Sequence, residues 1–166
     1  ENYCAYRPRS IKTSIIPNLI KLKIIEPNEI YWNHDMDAFQ VNTMENKELG
    51  LDNFDAGLTD YGWKSRWCMG SYFVKSTAND IFERAKPWIF KNYEDEDAML
   101  EICNRNPEIL KRLKRMNITY NLGMRYVPNN FKRATKPLKV AHFHPRKRGL
   151  LNVFKPYIPK ELVAII

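Results

Sequence analysis

Short aromatic and β-branched runs alternate along this chain with segments of helical periodicity, and that alternation restricts the fold to a mixed α/β architecture. Three runs read as strands: Glu29-Ile30-Tyr31-Trp32-Asn33-His34, Ser71-Tyr72-Phe73-Val74 and Lys139-Val140-Ala141-His142-Phe143-His144. Residues 10–25, with Ile16, Leu19, Ile20 and Ile24 near helical spacing, read as a helix that Pro17 starts or interrupts. A second helix from Thr77 or Asn79 carries Ile81, Phe82, Ala85, Trp88 and Ile89, and Pro87 should stop or kink it. Residues 94–104 and the basic segment 107–116 read as two more helices, and residues 118–122 as extended. Residues 42–64 lack clear periodicity and read as loops with a short helix at most. No internal repeat or low-complexity tract divides the 166 residues, so a single domain over 1–166 is expected.

Lys and Arg outnumber Asp and Glu by 27 to 19, giving a net charge of +8 and a pI near 9.4. Such a balance favours anionic partners: nucleic acid, acidic lipid or phosphorylated small molecules. Apolar stretches such as 162–166 fall far short of the roughly 20 residues that a bilayer helix needs, so no membrane span is expected. No leader pattern opens the chain. Cys4, Cys68 and Cys103 have no paired spacing, which argues against a disulfide framework or a cysteine zinc site and for a reducing, cytoplasmic setting.

Ligand sites of open α/β sheets lie at the carboxyl ends of strands, and two motifs sit there. Asp35-Met36-Asp37 follows the first strand, and hard oxygen ligands at that spacing can hold Mg²⁺ or Mn²⁺, which in turn clamps a diphosphate. The same pattern also occurs in polar turns that bind nothing. A second copy, Asp95-Glu96-Asp97, opens a helix, where exposed N–H groups and the macrodipole favour acids without any ligand. In His142-Phe143-His144 the strand period turns both imidazoles to one face, suited to a metal or to ordinary hydrogen bonding. Arg146, Lys147 and Arg148 follow, a cluster suited to phosphate oxygens beside a metal, to a nucleic-acid backbone, or to a solvated turn. In Trp67-Cys68-Met69-Gly70-Ser71-Tyr72, Gly70 permits close approach of a ligand and Trp67 offers a flat face to a sugar; core packing explains the run equally well. Within Tyr93-Glu94-Asp95-Glu96-Asp97, one carboxylate can act as a base or accept from a sugar hydroxyl, while the others are solvated helix-start charges.

Five segments carry a resemblance by their order: Ile30 to Phe39 around the Asp-Met-Asp motif, Gly70 to Val74, Asp95-Glu96 before Asp97-Ala98-Met99-Leu100, Thr119-Tyr120-Asn121, and Val140-Ala141-His142-Phe143 with Lys147. Over residues 7–149 the sequence resembles metal-dependent glycosyltransferases of the GT-A type, glycogenin-like and bacterial galactosyltransferase-like enzymes. It departs from them at Glu96, where Gln is usual, and at Arg146-Lys147-Arg148-Gly149, where a Gly-Lys-Pro-Trp ending is usual. The resemblance implies a Rossmann-like mixed sheet flanked by helices, with the first β-α-β portion, which holds the nucleoside base, missing before Glu1. It further implies transfer of a sugar from a nucleotide-diphosphate donor to an acceptor that is a glycan, a protein or DNA. Asp35, Asp37 and His142 would hold Mn²⁺ or Mg²⁺. Gly70, Ser71, Asp97, Arg146 and Lys147 would contact the donor, joined by Lys12 or Lys21 from the first helix. Asp95 would accept hydrogen bonds from the donor sugar or act as general base.

Two other functions use the same residues differently. A basic nucleic-acid-binding protein would rely on residues 111–115 and 146–148, and a DNA glycosyltransferase would combine both readings. A metal-dependent phosphoesterase or nuclease would use the Asp and His residues to activate water, without the additional His and Asn motifs of two-metal phosphoesterases.

Overall fold

The computed structural model describes residues 11–60, 66–91, 93–123, 130, 132–142 and 160. Strand β4 (Trp67–Val74) organises the larger of two sheets, and every one of its residues is buried. A strand buried throughout needs neighbours on both edges and cover on both faces. β1 (Tyr31–His34) pairs with one edge antiparallel, Tyr31 opposite Val74 and His34 opposite Ser71. β3 (Ala56–Asp60) pairs antiparallel with the other edge, and β5 (Leu113–Arg115) adds parallel to β3, giving the order β1-β4-β3-β5. The smaller sheet has the order β2-β7-β6, with β2 (Ala38–Gln40) antiparallel and β6 (Leu122–Gly123) parallel to β7 (Val140–His142). The fold is therefore mixed α/β, with mixed sheets and helices.

Helices cover one face of the larger sheet. α4 (Asn79–Phe90) buries Ile81, Phe82, Ala85 and Ile89, and α5 (Asp95–Arg105) buries Ala98, Met99, Ile102 and Cys103. These side chains join Leu58, Met69, Tyr72 and Val74 from the strands, with Ile16 from α2 (Ile16–Lys21), in one core. On the opposite face Leu49, Leu51, Phe73, Met116 and Tyr120 form a second, smaller core. Phe82 is completely buried and stacks on Tyr72 with ring centroids 5.9 Å apart. Phe82→Ala therefore leaves a cavity at the helix–sheet junction. We expect it to cost about 3–5 kcal/mol in denaturant unfolding.

Several elements differ from the sequence reading. β3 lies inside the stretch read as loops, because Ala56-Gly57-Leu58-Thr59-Asp60 has little strand propensity; pairing on both edges overrides that. Gly57 is there for space: a Cβ would meet Met116 Sδ at 2.8 Å and Leu51 Cδ2 at 3.0 Å. α4 runs through Pro87, which sits so close to the C-terminus that only the final turn lies beyond it. In place of one helix over 10–25, two short helices form, α1 (Ile11–Ser14) and α2. The basic helix α6 (Pro107–Arg112) stops early because Leu113 pairs with Ala56 at the sheet edge. Of residues 118–122, read as extended, Leu122 lies in β6, whereas 118–120 form a 3-10 turn closed by Asn117 Oδ1 accepting from Thr119 N at 2.9 Å. Between Asn42 and Ala56, α3 (Asn46–Leu49) is the short helix that was allowed for.

Candidate metal centre

The two sheets meet at Asp35-Met36-Asp37. Asp35 N donates to Gly70 O at 2.8 Å, extending the β1–β4 ladder one residue past His34, and Ala38 N donates to Asp35 O at 3.0 Å to close the turn. The chain then enters β2, where Ala38 lies opposite His142. One end of the turn is thus fixed by β4 and the other by β7. Met36 between the acids is 97% exposed.

This arrangement brings together residues from opposite ends of the described chain. His142 Nε2 lies 3.5 Å from Asp35 Oδ2 and 3.2 Å from Asp37 Oδ1. One ligand atom from each of the three residues lies within 4.8 Å of the others. His142 is 2% exposed, whereas both acids keep about a third of their side chains open to solvent. Its Nδ1 faces Asn121 Oδ1 at 3.1 Å, and Asn121 Nδ2 in turn donates to Thr59 Oγ1 at 3.0 Å. An amide oxygen only accepts, so Asn121 keeps the proton on Nδ1 and turns Nε2 toward the carboxylates.

Gly70 makes the convergence possible. A Cβ there would lie 2.1 Å from His142 Cε1, 2.5 Å from its Nδ1 and 3.2 Å from Asp35 Oδ2. The missing side chain is the space that the imidazole occupies. Two hard carboxylate oxygens with one imidazole nitrogen suit Mn²⁺ and tolerate Mg²⁺, so the donor set and the cradle at Gly70 both fit a divalent cation.

Burial opposes charge on His142, but hydrogen bonds with Asp37 and Cys68 prevail and push its pKa up to about 9, from an ordinary 6.5. A folded pKa above the unfolded one means that the bound proton stabilises the fold fully below about pH 6.5, and that this contribution is lost as pH rises through about 9. We expect the chelator-treated protein to lose on the order of 3 kcal/mol of stability across that interval, read from denaturant curves at successive pH values. His142→Gln should flatten the profile; an unchanged slope would show that another group carries it.

Asp95, the first residue of α5, lies in the same neighbourhood and is 6% exposed. Lys12 of α1 ion-pairs with Asp35 Oδ1 and stands 3.7 Å from Asp95 Oδ2, so the two carboxylates share one ammonium. Thr13 Oγ1 donates to Asp95 Oδ2 at 3.2 Å and Glu96 N to Asp95 Oδ1 at 3.0 Å. Burial raises the Asp95 pKa, Lys12 works against that rise and Asp35 adds to it. Of the two lysines considered on the first helical segment, Lys12 reaches the centre, while Lys21 is exposed at the end of α2. Tyr72, fully buried, places its hydroxyl beside Thr13, Asp95 and Asp35, and burial holds its pKa far above the phenol range, so it stays neutral.

The remaining candidates are placed elsewhere. Ser71 engages other partners: its hydroxyl accepts from Trp32 Nε1 and donates to Tyr120 O, both at 2.8 Å. Asp97 pairs with Arg66 at 3.3 Å. Trp67 is buried, with the Arg115 guanidinium 4.4 Å from its ring centroid. Arg146, Lys147 and Arg148, like His144, lie outside the described residues. Asn121, Thr13 and Tyr72 are contributors that motif reading gave no role. Asn121 had a signal in its place in the Thr-Tyr-Asn step, and Tyr72 stood in the Trp67–Tyr72 run, where it read as core packing. No family model matches the chain, and no curated protein matches it, so the functional argument rests on this geometry.

Proposed function

We propose that this chain is a metal-dependent glycosyltransferase of the GT-A type, which moves a sugar from a nucleotide-diphosphate donor to a glycan, protein or DNA acceptor in the cytoplasm. The observation that carries the reading is the convergence of Asp35, Asp37 and His142 around one point at the meeting of two sheets. Buried, unpaired Cys68 and Cys103 accord with a reducing compartment.

A divalent cation held by these three residues would supply Lewis-acid neutralisation of the departing diphosphate. The chain's own groups do the rest. Asn121 fixes the His142 tautomer, and Gly70 leaves room for the ring. Lys12 places a fixed positive charge where a leaving group gathers negative charge, an interaction strengthened by partial exclusion of water. Asp95, held by Thr13 and the Glu96 amide, presents an acceptor to a donor-sugar hydroxyl; its raised pKa makes it a stronger base than an ordinary carboxylate.

The test is product identity. The protein is incubated with Mn²⁺ and uridine or guanosine diphosphate sugars, with glycan, protein or DNA acceptors supplied in turn. Release of the nucleoside diphosphate together with a glycosylated acceptor supports transfer. Free phosphate or nucleotide fragments would place the same residues in a phosphoesterase, and salt-sensitive DNA retention with no released diphosphate would favour nucleic-acid binding alone.

A further inference from the structure

We infer that Lys12 makes metal binding at Asp35, Asp37 and His142 conditional on a diphosphate, by placing a built-in cation on one of the metal's own ligands. The inference rests on the reading that this centre binds a metal–diphosphate pair. Asp35 divides its two oxygens: Oδ1 takes the Lys12 ammonium, and Oδ2 faces His142 Nε2 at 3.5 Å. A dication bound to Asp35 would therefore sit one carboxylate away from an ammonium whose side chain is only 21% exposed and poorly screened. Among the described residues Lys12 also stands 3.7 Å from Asp95, and Thr13 and the Glu96 amide already hold that carboxylate in place. The ammonium is thus confined between the metal ligands and the candidate sugar-binding acid. Like charges held this close weaken the binding of a lone cation. A diphosphate lying between them satisfies both, so each ligand strengthens the other's affinity by the same factor.

The experiment is calorimetric titration of Mn²⁺ into the protein with and without uridine diphosphate, on wild type, Lys12→Met and Lys12→Arg. Circular dichroism and thermal melts establish that each variant is folded. In the wild type we expect weak Mn²⁺ binding alone, tightened about tenfold or more by the diphosphate. In Lys12→Met, Mn²⁺ alone should bind about tenfold tighter and the tightening by diphosphate should shrink by a similar factor. Lys12→Arg, which keeps the charge, should behave like the wild type. A folded Lys12→Met that binds Mn²⁺ no tighter than the wild type, or more weakly, overturns the inference and makes Lys12 an orienting group for Asp35. Absence of Mn²⁺ binding to the wild type even with diphosphate overturns the metal centre itself, and the inference with it.

Discussion

Asp37→Ala is expected to lower Mn²⁺ affinity by about a hundredfold or more and to reduce transfer to background, while leaving the fold intact. The expectation follows from position. Asp37 Oδ1 is the carboxylate oxygen nearest His142 Nε2, at 3.2 Å against 3.5 Å for Asp35. Its side chain is 36% exposed, so truncation opens no cavity. The substitution also removes one of the two hydrogen-bond partners that raise the His142 pKa, and should therefore shift that group back toward neutrality. The informative result is the pair: metal affinity lost and pH-dependent stability flattened, with a near-native melt at neutral pH. Retained affinity in Asp37→Ala would remove this residue from the centre.

Gly70→Ala should be as damaging for metal binding by a different route. The added methyl would lie 2.1 Å from His142 Cε1, a separation that real structures do not show. The backbone has little room to yield, because β4 is buried throughout and Asp35 N donates to the Gly70 carbonyl at 2.8 Å, although the pairing with β3 shifts register at this point. The imidazole must leave instead, and its Asn121 partner is lost with it. We expect a stability loss of about 1–3 kcal/mol from overpacking, and a fall in Mn²⁺ affinity comparable to deletion of the histidine. Equilibrium denaturation and calorimetry read the two effects separately. A Gly70→Ala protein with wild-type Mn²⁺ affinity would mean that the ring sits elsewhere.

Strand and helix patterning exposed much of this architecture in the sequence, and the physical reasons for the remainder are local. Asp35-Met36-Asp37 stood out because it ended an aromatic, β-branched strand. His142 stood out because it ended another. Their meeting depends on β2, three residues long and opposite β7, a pairing that no local pattern announces. β3 was illegible because Ala56-Gly57-Leu58 has the composition of a loop and becomes a strand only between two partners. Gly70 was legible as a site of close approach, but the sequence suggested a sugar as what approaches, and the structure puts His142 and Asp35 there. Ser71, adjacent in sequence, is engaged by Trp32 and Tyr120. Lys12 and Lys21 were indistinguishable while the register of the first helical segment was open; the break between α1 and α2 leaves Lys12 on the centre. Tyr72 read as core, and its ring is core, stacked on Phe82.

Pulsed electron paramagnetic resonance of Mn²⁺ bound with uridine diphosphate interrogates the centre most directly, because it detects nitrogen bonded to the metal. The expected spectrum shows ¹⁴N coupling from a single imidazole in the wild type, absent in His142→Gln. Bound Mn²⁺ without nitrogen coupling, or coupling that persists in His142→Gln, would contradict the shared Asp35, Asp37 and His142 site.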